Sequence, residues 1–283
     1  MIAGIRAWMR QPDVKAHPLR ALWRRFHWRW HWRSSNQNPI LVKRWYRNIG
    51  IYLVKSGSSA VAFYRDFKDD PIVKAMDVVL APGMRVFDIG AHVGAYSLIA
   101  AQVVGNEGMV IALEPQPDLA YLIRRNADLN AFQCVSVVQA AVGAAMGQTS
   151  FSSDIHTKGG WKSEAEREKE TFSVQVQTLD DISRVNGRAD FIKLDAAGFE
   201  AEVIKGGSET LSRIGTPHLA IKFYHPTVVL ERSGSSDFDL GKELNDVGYT
   251  LLELSKGRWI RYAGHYEDYC VVVVATLQPD LFL

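Results

Sequence analysis

The sequence predicts an α/β fold: a mostly parallel sheet, flanked by helices and closed by an antiparallel C-terminal pair of strands. Three observations carry this. From about Arg85 onward, short β-branched runs alternate with helical patterns, and parallel strands so connected need crossovers that cover both faces of the sheet. The last two apolar runs, "YTLLEL" and "DYCVVVVA", are separated only by "SKGRWIRYAGHYE", too short for a crossover helix, so they pair antiparallel. Third, "VFDIGAHVGAYS", residues 86–97, ends an apolar strand in a carboxylate and follows it with a turn almost stripped of side chains.

In chain order, residues 40–80 form a lead-in, with "IGIYLV" and "AVAFY" reading as short strands. Pro71 at a helix start opens "PIVKAMDVVL", which Pro82-Gly83 stops. The core strands follow. "RVFDI" leads into helix 93–104, "MVIAL" into helix 117–131, then come "CVSVVQ", "DFIKL" with helix 199–213, and "HLAIKF" with helix 236–247. Residues 153–170 interrupt the rhythm as a long hairpin loop between strand-like "QTSFS" and "TFSVQVQ"; loops beyond about 12 residues are usually functional or mobile. His156 and Trp161 in that loop are candidates to close over an acceptor, against the simpler reading of a solvated loop.

Charge divides the chain in two. Residues 1–48 hold eleven Lys or Arg against one acid, Asp13, so the remainder carries a net charge of about −8 although the whole is +2. The expected organisation is a basic aromatic extension, 1–48, and a catalytic domain, 49–283. The only cysteines, Cys134 and Cys270, lie in apolar strand-like runs and read as buried thiols in a reducing compartment. No apolar run approaches the roughly 18–20 residues of a membrane span, and no signal-peptide pattern opens the chain, so a cytoplasmic protein is expected.

Asp88 and the turn behind it suggest a ligand. In an open parallel sheet, ligands lie outside the carboxyl ends of the strands, and a strand-turn-helix unit there presents backbone N–H groups. Gly90 and Gly94 would shape that turn and let a ligand approach the backbone, with Asp88 facing the crevice. Glu114 closes the next strand, some 20 residues past Gly94, where a carboxylate accepts from both hydroxyls of a ribose. A nucleoside cofactor follows. A dinucleotide fingerprint needs a third glycine, and an acid at the turn repels phosphate; S-adenosylmethionine carries an ammonium, a sulfonium and no phosphate, and fits better than NAD or ATP. No metal site is expected.

"FDIGAHVGAYSLIAA", "VIALEPQPD", "AAVG", "QTLDD", "DFIKLDAAGFEAEVIKGG" and "LAIKFYH" resemble, in order, the blocks of FkbM-type S-adenosylmethionine-dependent methyltransferases over roughly residues 84–276. The resemblance implies a class I methyltransferase sheet of seven strands, Rossmann-like, in the order 3-2-1-4-5-7-6. It also implies O-methyl transfer to a hydroxyl of a sugar, glycolipid or polyketide, and cofactor contacts at Asp88, Gly90, Gly94 and Glu114. The neighbouring Ala91, His92, Tyr96, Pro115 and Ala141 complete the candidate cofactor set. The chain departs from the family pattern at Ala197, where a glutamate is usual, at Lys222, usually uncharged or acidic, and at His92, commonly Asn. The missing glutamate keeps a second reading open, a non-catalytic cofactor-binding or interaction module. In that strand order the two cysteines lie five spacings apart, about 24 Å, far beyond the roughly 7 Å a disulfide allows.

Methyl transfer from a sulfonium is an in-line displacement in which alignment does most of the work. A sugar hydroxyl is a weak nucleophile, so a base within hydrogen-bond reach should take its proton. Asp195, whose pKa burial would raise, and His225 are the catalytic candidates; Asp195 is alternatively an orienter, and His225 a structural cap ahead of Pro226. Finally, "LRALWRRFHWRWHWR", 19–33, alternates rings with cations. As a helix it gathers Leu19, Leu22, Trp23, Phe26 and Trp30 on one arc; as a strand it puts Phe26, Trp28, Trp30 and Trp32 on one face. Peripheral membrane contact, packing on protein, and the less favoured nucleic-acid contact all suit this composition.

Overall fold

A computed structural model describes residues 18–34, 38–64, 67–152, 171–212, 217–233, 240–264 and 270–283. The chain divides into two compact units, the first reaching Lys68 and the second comprising residues 69–151 and 171–283. Residues 49–68, grouped above with the catalytic domain, lie in the first unit. His156 and Trp161 lie outside the described residues.

The first unit contains helix α1 (Pro18–Ser34), a two-stranded antiparallel ribbon of β1 (Ile40–Val42) and β2 (Ile51–Leu53), and helix α2 (Gly57–Tyr64). The ambiguity of residues 19–33 resolves as helix. "AVAFY", expected as a strand, is helical instead. Ser56 explains the difference: its hydroxyl accepts from the Ser59 N–H and its carbonyl from the Ala60 N–H, a serine cap that outweighs the weak β preference of Val61 and Phe63.

The second unit opens with α3 (Pro71–Val79), capped by Asp70, whose carboxylate accepts from the Ile72 and Val73 N–H groups, with Pro71 in the first turn. Then come β3 (Arg85–Ile89), α4 (Ala95–Val104), β4 (Met109–Leu113), α5 (Pro117–Leu129), β5 (Val135–Val138), β6 (Ala141–Val142), β7 (Gly147–Ser152), β8 (Thr171–Gln177), α6 (Leu179–Asn186), β9 (Phe191–Leu194), α7 (Glu200–Lys205), α8 (Ser208–Ser212), β10 (His218–Tyr224), α9 (Pro226–Ser233), α10 (Leu240–Asp246), β11 (Thr250–Ser255), β12 (Arg258–Arg261) and β13 (Cys270–Thr276). The helix expected over 199–213 is broken in two at Gly206-Gly207.

Eight strands form the main sheet in the order β12-β11-β13-β10-β9-β3-β4-β5. This is the expected seven-strand order read from its far end, with one addition: the linker "SKGRWIRYAGHYE" contributes β12, paired antiparallel to β11 at the edge. Strands β5, β4, β3, β9 and β10 run parallel, while β13 is antiparallel to both β10 and β11. A separate sheet has the order β6-β8-β7. The central strands are apolar almost throughout because helices cover both faces; Phe87, Phe191, Ile111 and Leu219 are at most 1% exposed, and each such burial is worth about 1.5–3 kcal/mol. Cys134 and Cys270 form no disulfide and are half-buried, not buried as expected, because Cys134 precedes edge strand β5 and Cys270 is the first residue of β13.

The chain runs outward from β3 through β4 to β5, and on the other side from β9 to β10. Strands β3 and β9 are therefore the switch point, where the loops after adjacent parallel strands diverge and leave a crevice. The candidate site lies at the carboxyl ends of these two strands and of their neighbours β4 and β10.

Candidate active site

Parallel register fixes the chemistry at the switch point. Asp88 on β3 stands opposite Lys193 on β9, and the ammonium of Lys193 lies 2.9 Å from the Asp88 carboxylate, both side chains at most 2% exposed. The Lys193 ammonium also donates to the carbonyls of Ile89 and Gly90 at 3.1 and 2.6 Å, and Ser97 Oγ donates to Asp88 at 2.6 Å. Asp88 was expected to face the crevice. Instead it is fully buried beneath the turn, its charge answered by Lys193, because a bare carboxylate there would pay a desolvation cost of several kcal/mol.

Gly90 has a positive φ of 72°, and a Cβ on it would stand 2.0 Å from the carbonyl oxygen of Asp195. The glycine is thus required by the close approach of the loop after β9, not by a ligand alone. Gly94, φ 81°, begins α4, and Ala91 is buried with its N–H donated to Leu113. His92 also has a positive φ, 56°, a conformation in which Asn and His are enriched. Burial, then the charge of Lys193, depresses the His92 pKa to about 4, so its ring is neutral.

Glu114 follows the end of β4 and is 4% exposed. One carboxylate oxygen accepts from the His92 N–H at 2.8 Å and the other from the Gln116 N–H at 3.0 Å, tying the first glycine loop to the loop through Pro115. Burial raises its pKa to about 7, against the opposing effect of those two N–H groups. Tyr96, a cofactor candidate, donates its hydroxyl to Asp70 at 3.1 Å and lays its ring 5.6 Å from the Lys193 ammonium; burial, first of all, holds that phenol well above its ordinary pKa. Ala141 lies in β6, opposite Val176 of β8.

Asp195 comes next after β9. Its carboxylate accepts from Lys222 Nζ at 2.5 Å and from the Tyr224 hydroxyl at 2.6 Å, both on β10. The side chains of Lys222 and Asp195 are 25% and 19% exposed, so this network, unlike the Asp88 pair, opens to solvent. Burial alone would raise the Asp195 pKa, as expected from sequence. The charges of Lys193 and Lys222 and the two hydrogen bonds reverse the sign, and the carboxyl lies below its usual range. Burial would lower Lys222, yet Asp195 holds it above its ordinary value.

Below this network, Glu200 accepts from the N–H groups of Ala196 and Gly198 and is pushed by burial to about 7. Exposed Ala197, φ 56°, rides on top of that loop. His225 acts as a helix cap: its Nδ1 accepts from the Thr227 N–H at 3.3 Å and lies 2.8 Å from the Thr227 hydroxyl, while its carbonyl accepts from Val228 and Val229 at the start of α9. Sequence reasoning missed Lys193, Tyr224 and Asp70 as polar partners. A lysine inside the otherwise apolar run "FIKL" was the available signal. Among the described residues no cluster of His, Cys, Asp or Glu is arranged to hold a metal ion.

The donor set fits S-adenosylmethionine. A carboxylate has about four lone-pair positions, so Glu114, holding one backbone N–H on each oxygen, keeps an acceptor position on each for a ribose diol. A parallel sheet with this order, a glycine turn after its first core strand and an acid after the second defines a class I methyltransferase fold, dependent on S-adenosylmethionine. The chain belongs to the FkbM methyltransferase family: the methyltransferase FkbM domain matches residues 88–255.

Among solved structures, the chain resembles methyltransferase FkbM from Methylobacillus flagellatus (16% identity, TM-score 0.44, covering 79% of this chain and 56% of that one). It also resembles a SAM-dependent methyltransferase from Aquifex aeolicus (18% identity, TM-score 0.40, 73% and 88%). Among curated proteins it is 32% identical to ribosomal RNA large subunit methyltransferase E of Acinetobacter baumannii, over 24% of this chain and 43% of that protein. It is 34% identical to protein-L-isoaspartate O-methyltransferase 1 of Archaeoglobus fulgidus, over 21% and 27%. The chain thus spans less than half the length of these two relatives.

Proposed function

We propose that this protein transfers a methyl group from S-adenosylmethionine to a hydroxyl of a sugar, glycolipid or polyketide-like metabolite. The observation that carries the reading is the solvent-accessible network of Asp195, Lys222 and Tyr224 at the carboxyl ends of β9 and β10, beside the switch point. When bound, the cofactor supplies an electrophilic methyl on a positively charged sulfur. Glu114 would hold its ribose, with Gly90, Ala91, His92 and Gly94 as the adjoining wall. Asp88 acts on the cofactor only indirectly, by holding Lys193 under the turn.

Asp195 orients the acceptor. Held ionised, it keeps lone pairs for the hydroxyl of the incoming alcohol and fixes the oxygen for in-line attack. As the new C–O bond forms and the hydroxyl becomes acidic, Asp195 takes the proton. The adjacent Lys222 ammonium favours negative charge developing on that oxygen. His225 is set aside as a base in favour of its capping role. A cytoplasmic setting belongs to the same proposal, supported by two cysteines that are not joined in a disulfide.

The test is to incubate the protein with methyl-labelled S-adenosylmethionine and separated glycan, glycolipid, small-molecule, RNA and protein fractions. Label in an ether-linked methyl of a hydroxylated metabolite is expected; label in RNA or protein alone refutes the substrate class. Tight cofactor binding with no transfer to any fraction returns the non-catalytic reading. Asp195→Asn should lower turnover about 100-fold or more while leaving cofactor affinity within a few-fold, an effect at the scale of losing a general base.

A further inference from the structure

Helix α1 carries two apolar faces, and its own unit uses one of them. Trp28 and Trp32 are 8% and 9% exposed; Trp28 packs against Phe63 and Tyr64 of α2 and edge-on against Trp32. At about 100° per residue, these two lie opposite the second set, Leu19, Leu22, Trp23, Phe26 and Trp30. Those five share one arc and are 81, 52, 61, 68 and 57% exposed. Three large aromatic or indole rings and two leucines on one open arc form a patch of the kind that marks an interaction surface.

The charge on the same helix identifies the partner. It bears Arg20, Arg24, Arg25, Arg29 and Arg33 and no acid. Helical geometry sets Arg29 just beyond one margin of the apolar arc and Arg33 within the arc close to that margin; both are exposed. Arg24 is anchored, donating to the Tyr64 carbonyl at 3.0 Å. Rings that sit at headgroup level, aliphatic side chains that reach the acyl boundary, and flanking cations are the requirements of an interfacial helix on an anionic bilayer.

We propose that the Leu19-Leu22-Trp23-Phe26-Trp30 face of α1 lies on the surface of an anionic lipid bilayer, with Arg29 and Arg33 at the lipid phosphates. Single-stranded nucleic acid would use the rings and the arginines but gain little from Leu19 and Leu22. A second copy would set one row of arginines against another. The inference is independent of the methyl-transfer reading, since it concerns a face of the first unit and no residue of the cofactor site.

The experiment is flotation of the full chain with phosphatidylcholine vesicles, with and without phosphatidylserine, in low and high salt. Its comparison is the full-length triple variant Trp23→Ser, Phe26→Ser, Trp30→Ser, whose changes are all at exposed positions. Far-ultraviolet circular dichroism and the thermal unfolding midpoint, unchanged between the two, verify that the variant is folded. The wild type should float with phosphatidylserine vesicles, more weakly in high salt, and the variant should bind them roughly tenfold less or worse. No flotation of the wild type, equal flotation of the variant, preferential retention on single-stranded RNA, or a wild-type dimer in sedimentation that the variant abolishes without any vesicle binding would each overturn it.

Discussion

Asp88 and Asp195 begin as equivalents: each is an acid where a parallel strand meets its loop, and the sequence offered both to the same crevice. Lateral register separates them. Asp88 stands beside Lys193 inside a dry sheet, whereas Asp195 meets Lys222 and Tyr224 where solvent still reaches. The place of Glu114 at the end of β4 was legible, but its two backbone partners, the N–H groups of His92 and Gln116, were not. Breaking a buried ion pair leaves an uncompensated charge, at about 3–5 kcal/mol, so Lys193→Met should lower the unfolding free energy by about that amount in urea titration. A change under about 1 kcal/mol would mean Asp88 is neutral or otherwise solvated. Lys222 predicts something different. It helps hold Asp195 below the usual carboxylate range, so Lys222→Met should raise the Asp195 pKa and move the acidic limb of the kcat profile to higher pH. An unshifted limb would remove Asp195 from the rate-determining proton transfer.

At the scale of elements, the core strands were legible because burial on both faces makes them near-continuous apolar runs, while the order of the sheet came from the family resemblance. What escaped were elements decided by short-range partners. Helix α2 depends on the Ser56 cap, α9 on the His225–Thr227 cap, and β12 is a mixed-polarity edge strand defined only by its pairing to β11. The glycine turn was recognised, but its reason was incomplete. Gly90 is demanded by the Asp195 carbonyl 2.0 Å from where a Cβ would sit, as well as by its positive φ. Gly90→Ala must therefore either strain the turn or push the β9 loop away. Overpacking of this kind costs about 1–3 kcal/mol, and an L-residue in the left-handed region about 1–2 more. A loss of about 2–5 kcal/mol is expected in urea titration, together with lower turnover, because the displaced loop carries Asp195. Wild-type stability would show that the two loops do not approach as described.

For the whole molecule, the buried acids set how folding and cofactor binding respond to pH. Glu114 and Glu200 are each raised from 4.5 to about 7, so the folded state holds protons that the unfolded state has released. Stability from these two is fully present below about pH 4.5 and lost as pH rises toward 7. His92, depressed from 6.5 to about 4, has the opposite sign and gives stability as pH rises from 4 to 6.5, offsetting one of the two glutamates. The net slope through this window is downward and steepest at about pH 6 to 6.5, where the unfolded His92 is already losing its proton while the folded glutamates still hold most of theirs. Cofactor binding should have the opposite pH dependence and flatten that slope. A ribose diol donates to an ionised Glu114, so binding must remove the proton that burial keeps there. Linkage then predicts affinity for S-adenosylmethionine about tenfold tighter at pH 8 than at pH 6, and a thermal shift on binding that grows over the same range. Glu114→Gln accepts on one oxygen only and does not titrate. It should bind more weakly, and Glu114→Ala about 10 to 100-fold more weakly than wild type at pH 8, the worth of charge-assisted hydrogen bonds. In both variants the pH dependence should disappear. Calorimetry at the two pH values decides: a wild-type affinity that does not change with pH, or a Glu114→Gln variant that retains the change, would place the titrating group elsewhere and the ribose away from Glu114.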